Sequence, residues 1–472
     1  METMKKNKKA VPQFPCLSSS NEIPTCFKAV KGDKILSSIR HVCNVQLHYI
    51  ITFNSRLDLE RLAKAIRLTM DAEPILGCRF VENKNGQFWQ RREDLDSLES
   101  CRLTETDCPE ELLIRYLSSH CDPYNDPMVQ AHVFRSESDT LCIRINHIAS
   151  DAGGVKEYAR LLSSFYSALK INPAFTPQIN LTGSRSYKQV TDFLSLYDKF
   201  KILFLSLRGW HDSLFPRKNW TFPFLRQHPA TNHTFLLHRI PSDQFKKIKQ
   251  VARDYGFTVN DILTACILRG LYKIIQPDIG TPLRVGVTVD LRRYLANQQG
   301  ESITNLAKMF LLNIGHDIGD TLLETISLVH GQMKTRKANY IGLDINKNSI
   351  FSIQWLPASL AYKMHNFSSI LNYLVGPKNI PPWFTNMGLI KGEDIAFDEI
   401  KVTDAVIIPP VVYAPLLAIG ATGFNETITL SIGFSKTLHD EKKINALLLA
   451  IREKIASVPH EKMKNKIVKK HY

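Results

Sequence analysis

Residues 141–158 read LCIRINHIASDAGGVKEY, and this stretch decides the fold. Apolar side chains alternate with others through its first half, which predicts a β-strand that carries residue 147 on the same side as three apolar neighbours. His147 therefore lies where the strand leaves the sheet. Asp151 follows four residues later, and Gly153 and Gly154 open a helix. A histidine in such a partly dry position can act as a general base, although packing is the commoner role of a histidine at a strand end.

Strands and long amphipathic helices follow one another in both halves of the chain. Apolar residues from 155 to 169 recur at helical spacing, and the second half repeats this order of strand and helix. Ser242 is expected to cap one helix, which ends at Gly256, and residues 258–261 (TVND) resemble a capping box that starts the next. Strands are expected at 45–53, 128–134, 140–145, 234–239, 283–289, 405–408, 416–421 and 427–434. The pattern predicts an α/β (α+β) fold.

The length of 472 residues predicts two domains or one large unit of two lobes, each large enough to bury a core. We expect an irregular basic arm at 1–30, an N-terminal lobe at 31–180, a crossover at 181–232, a C-terminal lobe at 233–460 and a basic tail at 461–472. The crossover contains the stretch KFKILFLSLRGWHDSLFPRKNWTFPF. Packing across the lobe junction is one interpretation of this stretch. Contact with a membrane surface is the other, because Lys and Arg flank its Phe, Leu and Trp residues.

The chain is basic, with 60 lysines and arginines against 45 acidic residues and a net charge of +15. Much of the excess lies at 5–9 and 462–470, where solvated tails are one interpretation. Attraction to an anion is the other, and coenzyme A phosphates, an acidic carrier protein and an anionic membrane surface are the anions we consider. No nucleic-acid-binding motif accompanies the charge, so we expect no nucleic acid partner.

Cysteine usage and hydropathy restrict the compartment. Nine cysteines are spaced irregularly without a Cys-x-x-Cys pair, which argues against a disulfide framework and against a thiolate zinc site. A reducing cytoplasm is therefore expected. Three prolines interrupt the apolar stretch at 405–421, and no apolar block follows the charged N-terminus. We accordingly expect neither a membrane span nor a secretory signal.

A second informative segment is VTVDLRRY, at residues 287–294. A predicted strand ends in Asp290, and Arg292 and Arg293 follow at once. Arginine is always charged and offers a planar fork to a carboxylate. The segment is either a solvated strand end or the source of an arginine that binds a carboxylate of the other lobe.

The order of these segments resembles the condensation-domain superfamily, whose fold is like that of chloramphenicol acetyltransferase. A strand leads into HxxxD and a helix, a crossover follows, and a second strand leads into DLR; GFTVNDILTACILRGL and TNMGLI at 385–390 support the resemblance. The superfamily includes condensation domains of peptide synthetases, alcohol acetyltransferases and polyketide-associated acyltransferases. The resemblance implies two chloramphenicol-acetyltransferase-like lobes, each a mixed sheet with flanking helices, and an active-site tunnel at their junction.

The resemblance also implies roles for individual residues. The second histidine of the family motif corresponds to His147, which is expected to deprotonate the acceptor. The motif aspartate corresponds to Asp151 and is expected to be structural, paired with Arg292. Two positions depart from the motif, because Asn146 stands for the first histidine and Ala152 for the glycine after the aspartate. The residues expected to line the substrate are Asn146, Gly153, Gly154, Asn305 and Asn386.

The implied reaction moves an acyl group from coenzyme A or carrier-protein phosphopantetheine to an alcohol or amine. We expect no tightly bound cofactor, no metal and a monomer, and any acidic carrier protein would act in trans. Backbone amides near Gly153 and Gly154 are candidates to stabilise the oxyanion. The sequence has no Gly-x-Ser-x-Gly elbow, which argues against a covalent acyl-enzyme. Two alternatives stay open: a non-catalytic condensation-like binding protein, which Asn146 and Ala152 would suit, and a basic lipid- or membrane-surface protein.

Overall fold

The computed structural model describes residues 22–83, 86–122, 124–202, 204, 219–226, 230–343 and 380–458. The predicted basic tail at 461–472, most of the predicted arm at 1–30 and the middle of the crossover lie outside the described residues.

The first half of the chain alternates strands with helices as the sequence predicts. Its strands are β1 (Cys26–Lys28), β2 (Gln46–Phe53), β3 (Cys78–Asn83), β4 (Gly86–Arg91), β5 (Cys101–Glu105), β6 (Val129–Arg135) and β7 (Asp139–Asn146). Its helices are α1 (Lys31–Ser38), α2 (Leu59–Ala72), α3 (Pro109–Leu117), α4 (Ala152–Ile171) and α5 (Lys188–Thr191).

The second half repeats this alternation. Its strands are β8 (His233–Ile240), β9 (Arg284–Asp290), β10 (Ala307–Asn313), β11 (Trp383–Ile390), β12 (Val402–Ile408), β13 (Ala418–Phe424) and β14 (Thr427–Ser435). Its helices are α6 (Ser242–Tyr255), α7 (Val259–Ile275), α8 (Leu322–Lys337) and α9 (Glu441–Ala456). Ser242 is the first residue of α6 and not its cap, which is Pro241, whereas Gly256 ends this helix in the left-handed conformation as predicted.

Two large mixed sheets carry the fold. One has the order β12-β2-β7-β6-β5 and the other β10-β9-β11-β13-β14-β8, while β1, β4 and β3 form a small third sheet. The helices α2 and α4 pack on the first sheet, and α7, α8 and α9 contribute to the core of the second. These two layered units confirm the predicted α/β class with two lobes.

Strand β12 belongs to the second half of the chain but lies in the sheet of the first half. The predicted boundaries put it in the C-terminal lobe, but it pairs antiparallel with β2 in the sheet of the first half, from Val402 opposite Phe53 to Ile408 opposite His48. The physical reason is that both faces of this strand are apolar. Ala405 and Ile407 enter the core under α4, while the alternate residues face a separate apolar cluster between the sheets. Its neighbour in the sheet could not be predicted from alternation alone.

Strand β7 and helix α4 together position the site. Leu141, Ile143 and Ile145 of β7 are fully buried in the first core, as the alternation predicts. At the end of β7 the chain turns through residues 147–149 and enters α4, whose N-cap is Asp151. Both ends of this turn are therefore held by regular structure, which fixes the loop between them.

Candidate active site

His147 lies in the turn that follows β7, partly exposed. Its backbone N–H donates to the Val45 carbonyl at 2.8 Å, and its Nδ1 lies 2.8 Å from the carbonyl oxygen of Ser150. A carbonyl oxygen can only accept, so Nδ1 carries the proton and Nε2 presents its lone pair. Burial lowers the pKa of His147 below 6.5, and the Ser150 carbonyl and the Asp151 charge oppose this only in part. The ring is therefore neutral at pH 7, with Nε2 as its basic nitrogen.

Two asparagines hold the turn that carries His147. Asn146 is 3% exposed, and its Oδ1 accepts from the amide of Ile148 at 3.0 Å. Asn305, from the second half of the chain, donates its Nδ2 to the Ile148 carbonyl at 3.0 Å and also acts to raise the pKa of His147. Both residues were predicted to line the substrate. In the structure these two hydrogen bonds support the backbone of the turn at Ile148.

Asp151 and Arg292 form the centre of a buried network between the halves of the chain. Arg292 Nη1 lies 2.9 Å from Oδ1 of Asp151, and both side chains are almost fully buried. Asp151 also accepts from the amide of Gly154 at 2.8 Å and from the amides of Leu306 and Ala307 at 2.6 Å each. One carboxylate thus caps α4 and binds the start of β10, which ties the two halves together at the predicted site.

Arg292 binds two further carboxylates. Its Nε lies 2.8 Å from Glu157 and its Nη1 lies 3.2 Å from Asp290, while Nη2 donates to the Thr304 carbonyl at 2.9 Å. Glu157 in turn accepts from the amide of Gly300 at 2.8 Å. Sequence analysis missed Glu157, because its position six residues into α4 gives no sign that it faces Arg292. The three acids saturate the guanidinium, so Arg292 is a structural cation.

Burial and charge act against each other in this network. Burial alone would raise the pKa of Asp151, but the Arg292 charge and the donated amides bring that pKa below its usual value. Burial dominates at Glu157 and Asp290 and raises the pKa of each. The three carboxylates outweigh burial at Arg292 and raise its pKa. Asp151 is therefore the partner that stays ionised most firmly.

The two glycines of the motif are required by packing. A Cβ on Gly153 would lie 2.5 Å from Nη1 of Arg292, and one on Gly154 would lie 2.9 Å from the carbonyl oxygen of Thr304. The Gly154 amide is already bonded to Asp151, so it is not free to stabilise an oxyanion. Ala152 is the first residue of α4 and packs against the core, so the extra methyl group is accommodated there.

Arg185 supplies a further contact that sequence analysis missed. It lies in the predicted crossover, and its Nη2 donates to Asp33 at 2.8 Å and to the carbonyl of Ala149, two residues after His147, at 3.1 Å. Trp89 Nε1 donates to the same carboxylate at 2.8 Å. The Ser-rich sequence around Arg185 predicts only a loop. The contacts of Arg185 with Asp33 and Ala149 could therefore not be predicted from the neighbouring residues.

Asn386 makes its bonds elsewhere. It lies on β11, donates from Nδ2 to Asn260 at 3.1 Å and accepts from the amide of Gly388 at 3.0 Å. Neither of these bonds reaches the turn of His147. Asn386 therefore supports the junction between β11 and the start of α7 in this structure.

A polar cavity of about 500 Å³ opens beside the network. Residues of both halves line it, including Gly153, Lys156, Arg160, Arg293 and Gln298. His147 is not among its lining residues, so the predicted tunnel to the histidine stays a prediction. Within the described ranges, no group of three acidic, histidine or cysteine side chains could hold a metal ion. No helix in that same part of the chain has the length and hydropathy needed to cross a bilayer.

Comparisons with known proteins identify a family from the sequence and a shared fold from the structure. The model of the condensation domain matches residues 35–282. No curated protein sequence matches the chain. One similar solved structure is the first condensation domain of the calcium-dependent antibiotic synthetase with a substrate analogue, at 14% identity over 92% of this chain and 96% of that chain, with a TM-score of 0.68. Another is the trichothecene 15-O-acetyltransferase TRI3 from Fusarium sporotrichioides, at 13% identity over 92% of this chain and 95% of that chain, with a TM-score of 0.65. A third is the starter condensation domain of rhizomide synthetase with an acyl-CoA and Leu-SNAC, at 11% identity over 92% of this chain and 94% of that chain, with a TM-score of 0.64. At these identities the likeness shows a shared fold.

Proposed function

The chain belongs to the condensation-domain family, and we propose on this premise that it transfers an acyl group from a thioester to an alcohol or amine, with His147 as general base. Coenzyme A or a carrier-protein phosphopantetheine supplies the acyl group. The similar fold of an acetyltransferase, and of a condensation domain solved with an acyl-CoA, supports this substrate class.

The proposal rests on the orientation and the protonation state of the His147 ring. Nδ1 of His147 is engaged by the Ser150 carbonyl, and the pKa of the ring is lowered by burial, so Nε2 is free of its proton at pH 7. A general base must be unprotonated and oriented before the acceptor arrives. The engaged Nδ1 orients the ring, and the lowered pKa keeps Nε2 unprotonated at neutral pH.

The reaction follows from this base. Nε2 removes the proton of the acceptor as its oxygen or nitrogen attacks the thioester carbonyl. The tetrahedral oxyanion then collapses, the carbon–sulfur bond breaks, and the imidazolium returns the proton to the leaving thiolate. No covalent bond to the protein forms. We assign no oxyanion donor to the Gly154 amide, since Asp151 already accepts its hydrogen bond.

The buried network positions the base. Asp151 is bound by Arg292, Ile148 by Asn305 and Ala149 by Arg185, so each contact fixes a different residue of the same loop. A loop held in this way loses little motion when the substrates bind, and correct orientation supplies a large part of the rate enhancement. Asp151 and Arg292 are therefore positioning residues.

The experiment that tests the proposal is thiol release. The protein is mixed with acyl-CoA donors of several chain lengths and with alcohols and amines, and free thiol is measured together with the acylated product. Release that depends on the acceptor and yields one equivalent of product supports acyl transfer. Release without acylated product would indicate hydrolysis and contradict it.

A second candidate, a binding protein without turnover, is favoured by two observations. Asn146 replaces the first motif histidine and has a structural role in the turn, and the cavity beside the network does not include His147 in its lining. Saturable binding of acyl-CoA by calorimetry, with no thiol release across the acceptor panel, would support this alternative. Turnover would exclude it.

A further inference from the structure

An exposed apolar face follows the first lobe in a helical stretch at residues 196–202. Four large side chains on it remain mostly exposed: Leu196 75%, Tyr197 75%, Phe200 68% and Phe204 64%. At about 100° per residue, these four positions fall within one arc of about 100°. Scattered exposed apolar residues are ordinary, but a contiguous stripe of this kind marks an interaction surface.

The other side of the same stretch packs on the protein. Leu194 and Ile202 are 6% and 5% exposed, and Asp198 accepts from the hydroxyl of Tyr340 at 2.5 Å. Among the described residues, the helical stretch is therefore anchored through one side, and its apolar stripe lies on the other, exposed side.

Charge indicates what covers the stripe. Lys199 and Lys201 lie on its two borders, at about 60° and about 40° from the nearest apolar position. Among the described residues neither lysine forms an ion pair within 4 Å, although Lys201 Nζ lies 5.8 Å from the centre of the Tyr340 ring. Asp198, the one acid of this stretch, accepts from the hydroxyl groups of Ser195 and Tyr340. An apolar stripe with lysines on both borders is the pattern of a helix that lies in a membrane interface.

We propose that this stripe docks the protein on an anionic lipid surface. The apolar side chains would enter the boundary between headgroups and acyl chains, and the lysines would remain at the level of the anionic headgroups. A second copy of the chain fits less well, because a two-fold interface pairs the same patch with itself and would bring like charges together. The net charge of +15 adds a general attraction to such a surface.

The experiment uses the full chain and vesicles of phosphatidylcholine with and without phosphatidylserine. The variant Leu196→Gln/Phe200→Gln removes two exposed contacts and should lower the partition coefficient about tenfold or more. The matched control, Ile171→Gln/Ile279→Gln, changes two residues that are 87% and 105% exposed outside the stripe and should leave binding unchanged. The basic tails are common to all variants, so their contribution cancels.

A charge variant separates the lipid chemistry. Lys199→Gln and Lys201→Gln should each weaken binding to phosphatidylserine vesicles about fivefold and leave binding to phosphatidylcholine unchanged. The proposal is overturned if Leu196→Gln/Phe200→Gln binds vesicles as well as the unmodified protein. It is also overturned if sedimentation velocity shows a dimer that this variant converts to a monomer, since the stripe would then bind a second copy. Thiol release is not the readout, so failure here leaves the proposed acyl transfer untouched.

Discussion

Arg292→Ala is expected to lower the free energy of unfolding by about 4 kcal/mol. The guanidinium is bonded to Asp151 at 2.9 Å and to Glu157 at 2.8 Å in a buried setting. Two unit charges about 4 Å apart attract by about 4 kcal/mol at an effective dielectric constant of about 20, and removing one partner of a buried pair costs about 3–5 kcal/mol. Asp151 keeps three amide donors, which limits the loss to this range.

The assay is urea denaturation, with Arg293→Ala as the matched control. Arg293 is the exposed neighbour of Arg292, so its removal should change the free energy of unfolding by less than about 0.5 kcal/mol. Thiol release should fall in Arg292→Ala, because the loop that carries His147 loses its main contact with the second half. Unchanged stability and unchanged rate in Arg292→Ala would refute the role assigned to the network.

The pH dependence of this variant provides a further check. Because Arg292 helps to hold the pKa of Asp151 below its usual value, the stabilisation from this pair is present at neutral pH and is lost as the pH falls through that lowered pKa. The difference between Arg292→Ala and the unmodified protein should therefore shrink in acid. A difference that stays constant throughout the acid range in which both proteins remain folded would show that the lost stability is not electrostatic.

Three other outcomes are expected. As the proposed base, His147 must be unprotonated, and burial lowers its pKa. The acid limb of the kcat/KM profile should therefore lie below pH 6.5, and a limb above that value would contradict the assignment. Gly154→Ala places a Cβ 2.9 Å from the Thr304 carbonyl oxygen and should lower the free energy of unfolding, measured with urea, by about 1–3 kcal/mol. The control is Gly331→Ala in α8, which has no neighbour within 4 Å and should raise that free energy by about 0.5–1 kcal/mol. Equal changes in the two variants would refute the packing role of Gly154. Burial lowers the pKa of Lys308 to about 8, so Lys308→Met should stabilise the protein by about 1 kcal/mol at pH 7. In thermal denaturation this gain in stability should fade between pH 8 and 10.5, because Lys308 then loses its charge in the unmodified protein. A gain independent of pH would show that the buried charge is not its cause.

Local features of the sequence were the most predictable. Residues 258–261 form the predicted capping box, in which the Thr258 amide donates to Asp261 at 2.9 Å and the Asp261 amide donates to the Thr258 hydroxyl at 3.2 Å. Such a motif depends only on residues three apart. The burial of β7 and α4 followed from periodicity for the same reason.

Features that depend on tertiary contacts were not predictable. The pairing of β12 with β2 joins residues about 350 positions apart, and an apolar strand carries no mark of its neighbour. Glu157 and Arg185 are charged residues whose partners lie on other elements. Asp151 and Arg292 could be paired only because the order of motifs resembled a family, since nothing in their local sequence links them.

The rate of thiol release in His147→Ala tests the central claim most directly. The proposal assigns the base to His147, so kcat with the best donor and acceptor should fall about 10²–10⁴-fold, while circular dichroism and the urea midpoint remain close to those of the unmodified protein. His316→Ala, which alters an exposed loop histidine, serves as the control and should keep full activity. A folded His147→Ala protein that retains more than about one third of the rate would contradict the account.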